Sequence, residues 1–197
     1  MKRLFLVLFF IALGQSAFSQ RNYMLVKDID MDNVADTVSL DSVRSCIVCK
    51  LSTQNFKPIY SSEIYFDNMN GMGSSLSESE DGFSYNFNWM RSGDYVYYEY
   101  ELATKRIRAV SMTTYSYGNA VNDGMGELGF DLIEGGCSGT IHNYDYEKEE
   151  LIPMDIDLDF SLPPMYLEDF DTGIIFEIFT KAYSLKKERD EAISPSE

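Results

Sequence analysis

Basic residues are scarce in this chain of 197 residues. Only 16 Lys and Arg stand against 32 Asp and Glu, which gives a formal net charge of −16 at pH 7. A field of that sign makes nucleic acid and anionic membrane surfaces poor partners. It suits a cation or a basic protein partner, although an acidic surface that serves only solubility would have the same composition.

Histidine is nearly absent, because His142 is the only one in the chain. Catalysis of the Ser-His type would have to use it, and no nucleophile elbow lies nearby. A P-loop and a dinucleotide-binding fingerprint are also missing. Glu127 and Asp131, which flank a Gly-rich turn, are the best carboxylate pair for a glycan hydrolase. We expect a protein that is not an enzyme, and keep a carboxylate-based glycan hydrolase as the less favoured alternative.

Cysteine is rare as well, with three residues. Cys46 and Cys49 lie in a segment, 45–51, that alternates like a strand. Their side chains would point in opposite directions from Cα atoms about 10 Å apart, beyond the reach of a disulfide. Either one could pair with Cys137, or all three could be small apolar residues. A zinc site with His142 is less favoured, because Cys-x-x-Cys ligands usually lie on a knuckle rather than in a strand.

The chain has one long apolar run, from Leu4 to Leu13, which follows two basic residues. With the small residues of Ala17-Phe18-Ser19 after it, this run predicts a secretory signal peptide over 1–19, too short to span a membrane. Cleavage after Ser19 would leave 14 basic and 32 acidic residues, a formal charge of −18. We therefore expect an exported protein, periplasmic or secreted, without membrane insertion.

Acidic residues are abundant, and their densest cluster lies at 28–36. Four aspartates occupy the first, third, fifth and ninth positions of this segment: Asp28, Asp30, Asp32 and Asp36. Calcium takes about six to eight oxygen ligands, which four carboxylates, the backbone carbonyl near Val34 and water could supply. The sixth position of such a loop usually needs positive φ, and Asn33 is the non-Gly residue that best tolerates it. Because like charges crowd here unless a cation offsets them, we predict a calcium site, with a solvated acidic turn as the alternative.

The segments on both sides of this acid loop, 23–26 and 37–40, read as strands. An EF-hand would need helices there and an acid at its twelfth position, where Ser39 stands. The acid loop therefore resembles the calcium loops of FG-GAP and VCBS-type β repeats.

The centre of the chain has the pattern of consecutive strands. Aromatic residues alternate with polar ones over 83–90, which predicts a half-buried antiparallel strand. A turn at Ser92-Gly93-Asp94 and a strand over 95–102 follow. In the next segment, 106–115, the apolar parity changes, which either a bulge near Ala109 or burial of both faces would explain. Turns recur about every 8–12 residues, so we predict a mainly β fold: an antiparallel meander, propeller-like or sandwich-like.

The end of the chain changes character. Residues 173–192 have the apolar stripe of a helix, with Asp171 or Thr172 able to cap it. We therefore predict one β-rich domain over 20–192 with a C-terminal helix, and a disordered tail at 193–197. A second acid motif, Asp155, Asp157 and Asp159, lacks the loop formers of the first. It is typical of an exposed strand with one acidic face rather than of a second metal site.

Two short motifs carry a further resemblance. Ser92-Gly93-Asp94-Tyr95 has the form Ser-Gly-x-Tyr, and Tyr100 to Lys105 has the form Tyr-x-x-x-Thr-Lys. In that order they resemble the periplasmic inhibitors of invertebrate-type lysozyme, and the acid loop adds a likeness to related immunity proteins that inhibit a lysozyme-like toxin. The resemblance spans about residues 28–144 and leaves out the helix. It implies that Ser92, Gly93 and Tyr95 contact the cleft of a lysozyme-like muramidase, with Lys105 beside them. The alternative is a calcium-stabilised surface or adhesion module without an inhibitory role.

Overall fold

A computed structural model of the protein describes residues 23–65 and 73–193. The predicted signal peptide at 1–19 lies outside these residues, as does most of the predicted tail. Within them the chain forms two antiparallel sheets and one α-helix. The predicted mainly β fold with a C-terminal helix is therefore confirmed.

The first sheet has four strands, which pair in the order of the sequence. They are β1 (Met24–Lys27), β2 (Asp36–Asp41), β3 (Cys46–Lys50) and β4 (Pro58–Tyr60). The acid loop connects β1 to β2, where the flanking strands were predicted. A short 3₁₀ helix, Ser52–Gln54, follows β3 and packs beside the acid loop.

The second sheet is an open meander of seven strands, each hydrogen-bonded to the next along the chain. It consists of β5 (Gly73–Glu78), β6 (Gly82–Asn88), β7 (Ser92–Glu101), β8 (Arg106–Tyr117), β9 (Met125–Asp131), β10 (Cys137–Asp145) and β11 (Glu150–Leu158). The second acid motif falls at the end of β11, where Asp155 and Asp157 are exposed on alternate positions, as predicted.

The two sheets share one apolar core, since a single cluster of buried residues contains side chains from both. The alternating residues predicted for the central strands face this core. Phe83, Tyr85 and Phe87 are at most 2% exposed, and Tyr98 and Tyr100 of β7 lie on the same side. Each large side chain buried in this way contributes roughly 1.5–3 kcal/mol to folding. The ammonium of Lys27 ties the sheets together at one end, since it donates hydrogen bonds to the carbonyls of Ser79, Glu80 and Gly82.

The predicted bulge is present between β7 and β8. Tyr97 pairs with Ser111 and Tyr98 pairs with Ala109, so Val110 has no partner of its own on β7. The extra residue reverses the parity of β8. Ile107, Ala109 and Met112 therefore all point into the core.

The helix α1 runs over Thr172–Ile193. Asp171 caps it, because its carboxylate accepts a hydrogen bond from the backbone N–H of Ile174 at 3.1 Å. Ile175, Ile178 and Ala182 form the buried stripe that the spacing predicted. The helix packs against β11, and Arg189 donates to the carbonyl of Asp157 at 2.8 Å.

All three cysteines are buried, and none forms a disulfide. Burial raises the pKa of Cys49 and also raises that of Cys137, to about 11. Of the alternatives drawn from the sequence, the structure supports the one in which all three cysteines are small apolar residues of the interior. The pairing with Cys137 does not form. Nor does a zinc site, because the one cluster suited to a metal among the described residues has no cysteine or histidine.

We expect mass spectrometry to detect three alkylated thiols when the protein is denatured without reductant. In the native state the same reagent should react slowly, because all three sulfurs are buried and their pKa values are raised. A mapped disulfide between any two of the cysteines would contradict this arrangement.

Candidate metal centre and partner-binding residues

The acid loop is a tight turn rather than an extended connection. Asn33 has a φ of 66° and Met31 one of 64°, so the backbone enters the left-handed region twice within three residues. The predicted positive φ at the sixth position is therefore confirmed. These two left-handed residues curl the backbone, so that aspartates at different positions approach one another.

Asp36 holds the base of the loop. It is fully buried at the start of β2, and its Oδ2 accepts hydrogen bonds from the N–H groups of Ile29 and Asp30 at 2.8 and 3.2 Å. Its Oδ1 accepts a third from the N–H of Ser52 at 2.7 Å. These three bonds fix the acid loop against the 3₁₀ helix.

Asp28 holds the other side of the loop. Its two oxygens accept hydrogen bonds from the N–H groups of Asp32 and Asn33 at 3.2 and 2.9 Å. A carboxylate oxygen has two lone pairs, so both oxygens of Asp28 and the Oδ1 of Asp36, which each accept one bond, can still bind a cation.

Asp30 is the most informative residue of the loop. It is only 3% exposed, and its Oδ2 accepts hydrogen bonds from the N–H and the hydroxyl of Thr53. Its Oδ1 is buried and has no hydrogen-bond donor among the residues that the structure describes. A buried carboxylate oxygen without a partner is costly, and a cation would supply the missing interaction.

The three carboxylates of Asp28, Asp30 and Asp36 form one cluster, with an oxygen of each within 4.8 Å of the others. At that distance two full charges repel by about 3.5 kcal/mol at an effective dielectric constant of 20. No ion pair within the described parts of the chain involves these aspartates. The cluster can hold a metal ion, which would remove both the repulsion and the unmet hydrogen-bonding capacity of Asp30.

Asp32 does not belong to this cluster of carboxylates, and the backbone carbonyl near Val34 stays a prediction. Asp32 is exposed and accepts hydrogen bonds from the hydroxyl of Ser52 at 2.6 Å and from the N–H of Val34 at 2.8 Å. These bonds lower the pKa of Asp32, with Ser52 making the largest contribution. Of the predicted ligands, the structure therefore brings together Asp28, Asp30 and Asp36. It adds Ser52 and Thr53 as supports that the spacing within the loop could not reveal.

The predicted turn at Ser92-Gly93-Asp94 is wrong, because these residues begin β7. The turn of the β6–β7 hairpin lies at 89–91, closed by a hydrogen bond of 2.7 Å from the N–H of Trp89 to the carbonyl of Ser92. Trp89 and Met90 are 42% and 77% exposed there. The apolar residues exposed at this end of the sheet are thus Trp89 and Met90, three and two positions before Ser92.

Gly93 is buried between its neighbours. A Cβ there would come within 2.6–2.8 Å of the Tyr115 ring and hydroxyl and of the Asn88 amide oxygen. Tyr95 stacks on Tyr115 with ring centroids 5.8 Å apart, and both hydroxyls are hydrogen-bonded to Asn88 Oδ1. Gly93 and Tyr95 therefore contribute to the packing of the sheet surface.

We expect Gly93→Ala to lower the free energy of unfolding by about 1–3 kcal/mol, because the added methyl group displaces Tyr115 and Asn88. Urea denaturation measures this loss. The matched control is Gly124→Ala, where the glycine has open space around it but a φ of +77°, so that its cost comes from the backbone alone. If Gly93→Ala leaves the urea midpoint unmoved, the buried position assigned to Gly93 is wrong.

Lys105 lies at the other end of β7, in the exposed turn that leads to β8. A strand of ten residues is about 30 Å long, so Ser92 and Lys105 are too far apart to enter one cleft together. The prediction that they lie side by side is wrong. The Lys105 turn is instead close to the metal cluster, because Gln54 of the 3₁₀ helix donates to the Lys105 carbonyl at 3.0 Å.

The other residues considered for catalysis do not converge. Glu127 and Asp131 are four positions apart on β9, about 13 Å between Cα atoms, whereas glycosidase carboxyl groups lie roughly 5–9.5 Å apart. Asp131 accepts hydrogen bonds from the N–H groups of Ile133 and Glu134, which lower its pKa. His142 lies within hydrogen-bonding distance, 3.2 Å, of the Met125 carbonyl through Nδ1.

Comparison with protein-family models, curated proteins and solved structures found no match to this chain. Among the described residues, no helix has the length and apolar character needed to cross a bilayer. The site and the fold are therefore the basis for any assignment of function.

Proposed function

We propose that the acid loop binds calcium and that the ion completes the fold around it. The donors are all oxygen atoms, which hard cations prefer over zinc or copper. Calcium suits a flexible loop of mixed ligands better than magnesium, which demands a near-ideal octahedron. The observation that carries the proposal is the buried Oδ1 of Asp30, which belongs to a cluster of three carboxylates and has no hydrogen-bond donor in the described part of the chain.

We further infer that the protein acts outside the cytoplasm as a binding protein that inhibits a lysozyme-like muramidase. Three features support this inference: the resemblance of its two motifs to lysozyme inhibitors, the net charge of −16, and a hairpin turn with exposed Trp89 and Met90. A strongly acidic protein is steered toward a basic partner, and an exposed aromatic turn can anchor in a cleft.

The experiment that tests this function measures cell-wall clearance by chicken-, goose- and invertebrate-type lysozymes and by a bacterial muramidase toxin. We expect the wild-type protein with calcium to slow at least one of them at micromolar concentration, with weaker inhibition as salt rises. If it slows none of them, the inhibitor hypothesis should be dropped.

A second candidate function is a surface or adhesion module, which the outer face of the larger sheet favours. Tyr115 stacks on Tyr95 there with ring centroids 5.8 Å apart and meets Tyr117 edge to face at 5.5 Å, beside Gly126. Aromatic side chains on a surface of this kind are suited to packing against sugar rings. Co-sedimentation of the protein with insoluble peptidoglycan, without any loss of muramidase activity, would favour this module.

A further inference from the structure

A cavity at the hairpin end of the molecule contains a carboxylate where the core pattern predicts an apolar residue. Asp94 has the same parity on β7 as Val96 and Tyr98, both fully buried, so its side chain lies on the core side of the sheet. Burial raises the pKa of Asp94. A hydrogen bond from Thr114, its register partner on β8, opposes that shift only in part.

Five of the eleven residues that line this cavity are aromatic. It has a volume of about 620 Å³, within the roughly 300–1,000 Å³ range of small-molecule sites. Phe87 and Trp89 meet edge to face with centroids 4.6 Å apart, and Tyr65 lies 5.6 and 5.8 Å from them. Phe176 closes the opposite side from α1 and is 72% exposed.

The charge of this cavity has one sign. Asp94 and Glu177 both line it, and no lysine, arginine or histidine does among the residues that the structure describes. Neither carboxylate forms an ion pair within the part of the chain that the structure describes. A partly buried acid without a cation is costly, and aromatic rings attract cations through their negative faces.

We propose that this cavity binds a small organic cation, an alkylated ammonium compound of the size of choline. The carboxylate of Asp94 would face the charge, and the rings of Trp89, Tyr65 and Phe176 would contact the alkyl groups. A bare metal ion fits less well, because most of the lining is carbon and the one metal-suited cluster among the described residues lies elsewhere. This site does not involve the acid loop. It shares Trp89 with the hairpin turn of the proposed inhibitor, but choline binding is measured without a muramidase, so the failure of one proposal can be told apart from the failure of the other.

The chain supplies its own reporter for this site, because Trp89 is the only tryptophan. Choline should change the fluorescence of Trp89 saturably, and 3,3-dimethylbutanol, its neutral isostere, should bind about tenfold more weakly or worse. Saturation-transfer NMR on the choline methyl groups provides a second readout of the same binding. Equal binding of the two compounds, or no saturable binding of choline by either method, would overturn the proposal.

Two variants test the residues. Asp94→Asn keeps the shape of the side chain and should weaken choline binding about tenfold, and Phe176→Ala should also weaken it. The matched control is Asp157→Asn, which removes the same charge from an exposed position on β11 and should bind choline as the wild type does. If Asp94→Asn does not fold, the wild-type comparison of choline with its isostere still decides. Unchanged binding by folded Asp94→Asn, or tighter binding of N-acetylglucosamine than of choline, would refute the assignment.

Discussion

Calcium should raise the melting temperature of the wild-type protein, and a chelator should lower it again. An ion that binds only the folded state stabilises it by about 2.7 kcal/mol at a hundredfold excess over Kd. For a domain of this size each kcal/mol shifts the melting temperature by about 2–4 °C, so we expect a difference of about 5–10 °C. Thermal denaturation followed by circular dichroism, with calcium and with chelator, measures it.

The variant Asp30→Asn should abolish this calcium response. It removes one of the three clustered charges, yet its amide oxygen can still accept from Thr53. We therefore expect the variant to be less stable than the wild type in calcium and no less stable in chelator, because the repulsion falls when no ion is bound. Asp36→Asn should behave differently and lose stability in both conditions, since Asp36 accepts three backbone N–H groups through its two oxygens.

The matched control for these variants is Asp32→Asn, in the same loop but outside the cluster. Its carboxylate does not belong to the group of three whose oxygens approach within 4.8 Å of one another, so the variant should keep most of the calcium response. A melting curve that chelator leaves unmoved in the wild type would refute the metal site. Loss of the response in Asp32→Asn to the same extent as in Asp30→Asn would show that four carboxylates bind the ion, as the spacing alone predicted.

The acid loop shows how far local sequence could lead. The positions of the aspartates and of Asn33 identified the loop and its flanking strands, because these depend on neighbours within a few residues. The separate position of Asp32 could not be predicted. It depends on Ser52, which is twenty residues away in sequence and reaches the loop only after β2 and β3 have paired.

The β6–β7 hairpin shows the opposite case, in which local signals were misleading. Ser-Gly-Asp is a strong turn signal, and alternation carried the predicted strand on to Trp89 and Met90. In the structure the turn lies three residues earlier, since Gly93 is needed where Asn88 and Tyr115 leave no room for a side chain. Packing across three strands decided the register, and a single sequence does not display it.

The division into two sheets was likewise out of reach, although the individual strands and the helix were not. Alternation and the parity change near Ala109 are local, and so is the helical stripe of Ile175, Ile178 and Ala182. Which strands pair, and where one sheet ends, depends on connections such as the contact of Lys27 with the carbonyls of the β5–β6 turn. That contact spans more than fifty residues.

Two turns flank β7, one before Ser92 and one that contains Lys105, and about 30 Å separates them. If the protein inhibits a muramidase, one of these turns should account for the inhibition and the other should not. We expect it to be the hairpin turn before Ser92, where Met90 is 77% exposed and can be buried in a cleft. Met90→Ala with Ser92→Ala should weaken inhibition about thirtyfold, the effect of losing roughly 2 kcal/mol at a buried anchor. The melting temperature should stay nearly constant, since an exposed side chain contributes little to the fold.

The matched control is Leu102→Ala with Lys105→Ala, which truncates an exposed apolar residue and a polar partner at the opposite turn. That variant should inhibit as the wild type does, apart from a small salt-dependent change. A chelator also distinguishes the two turns. The Lys105 turn accepts a hydrogen bond from Gln54 of the 3₁₀ helix, and that helix supports the metal cluster. Inhibition through the Met90 turn should survive chelation well below the melting temperature. If inhibition is lost when calcium is removed and in the Leu102→Ala, Lys105→Ala variant, while Met90→Ala with Ser92→Ala has no effect, the Lys105 turn is the one that enters the cleft.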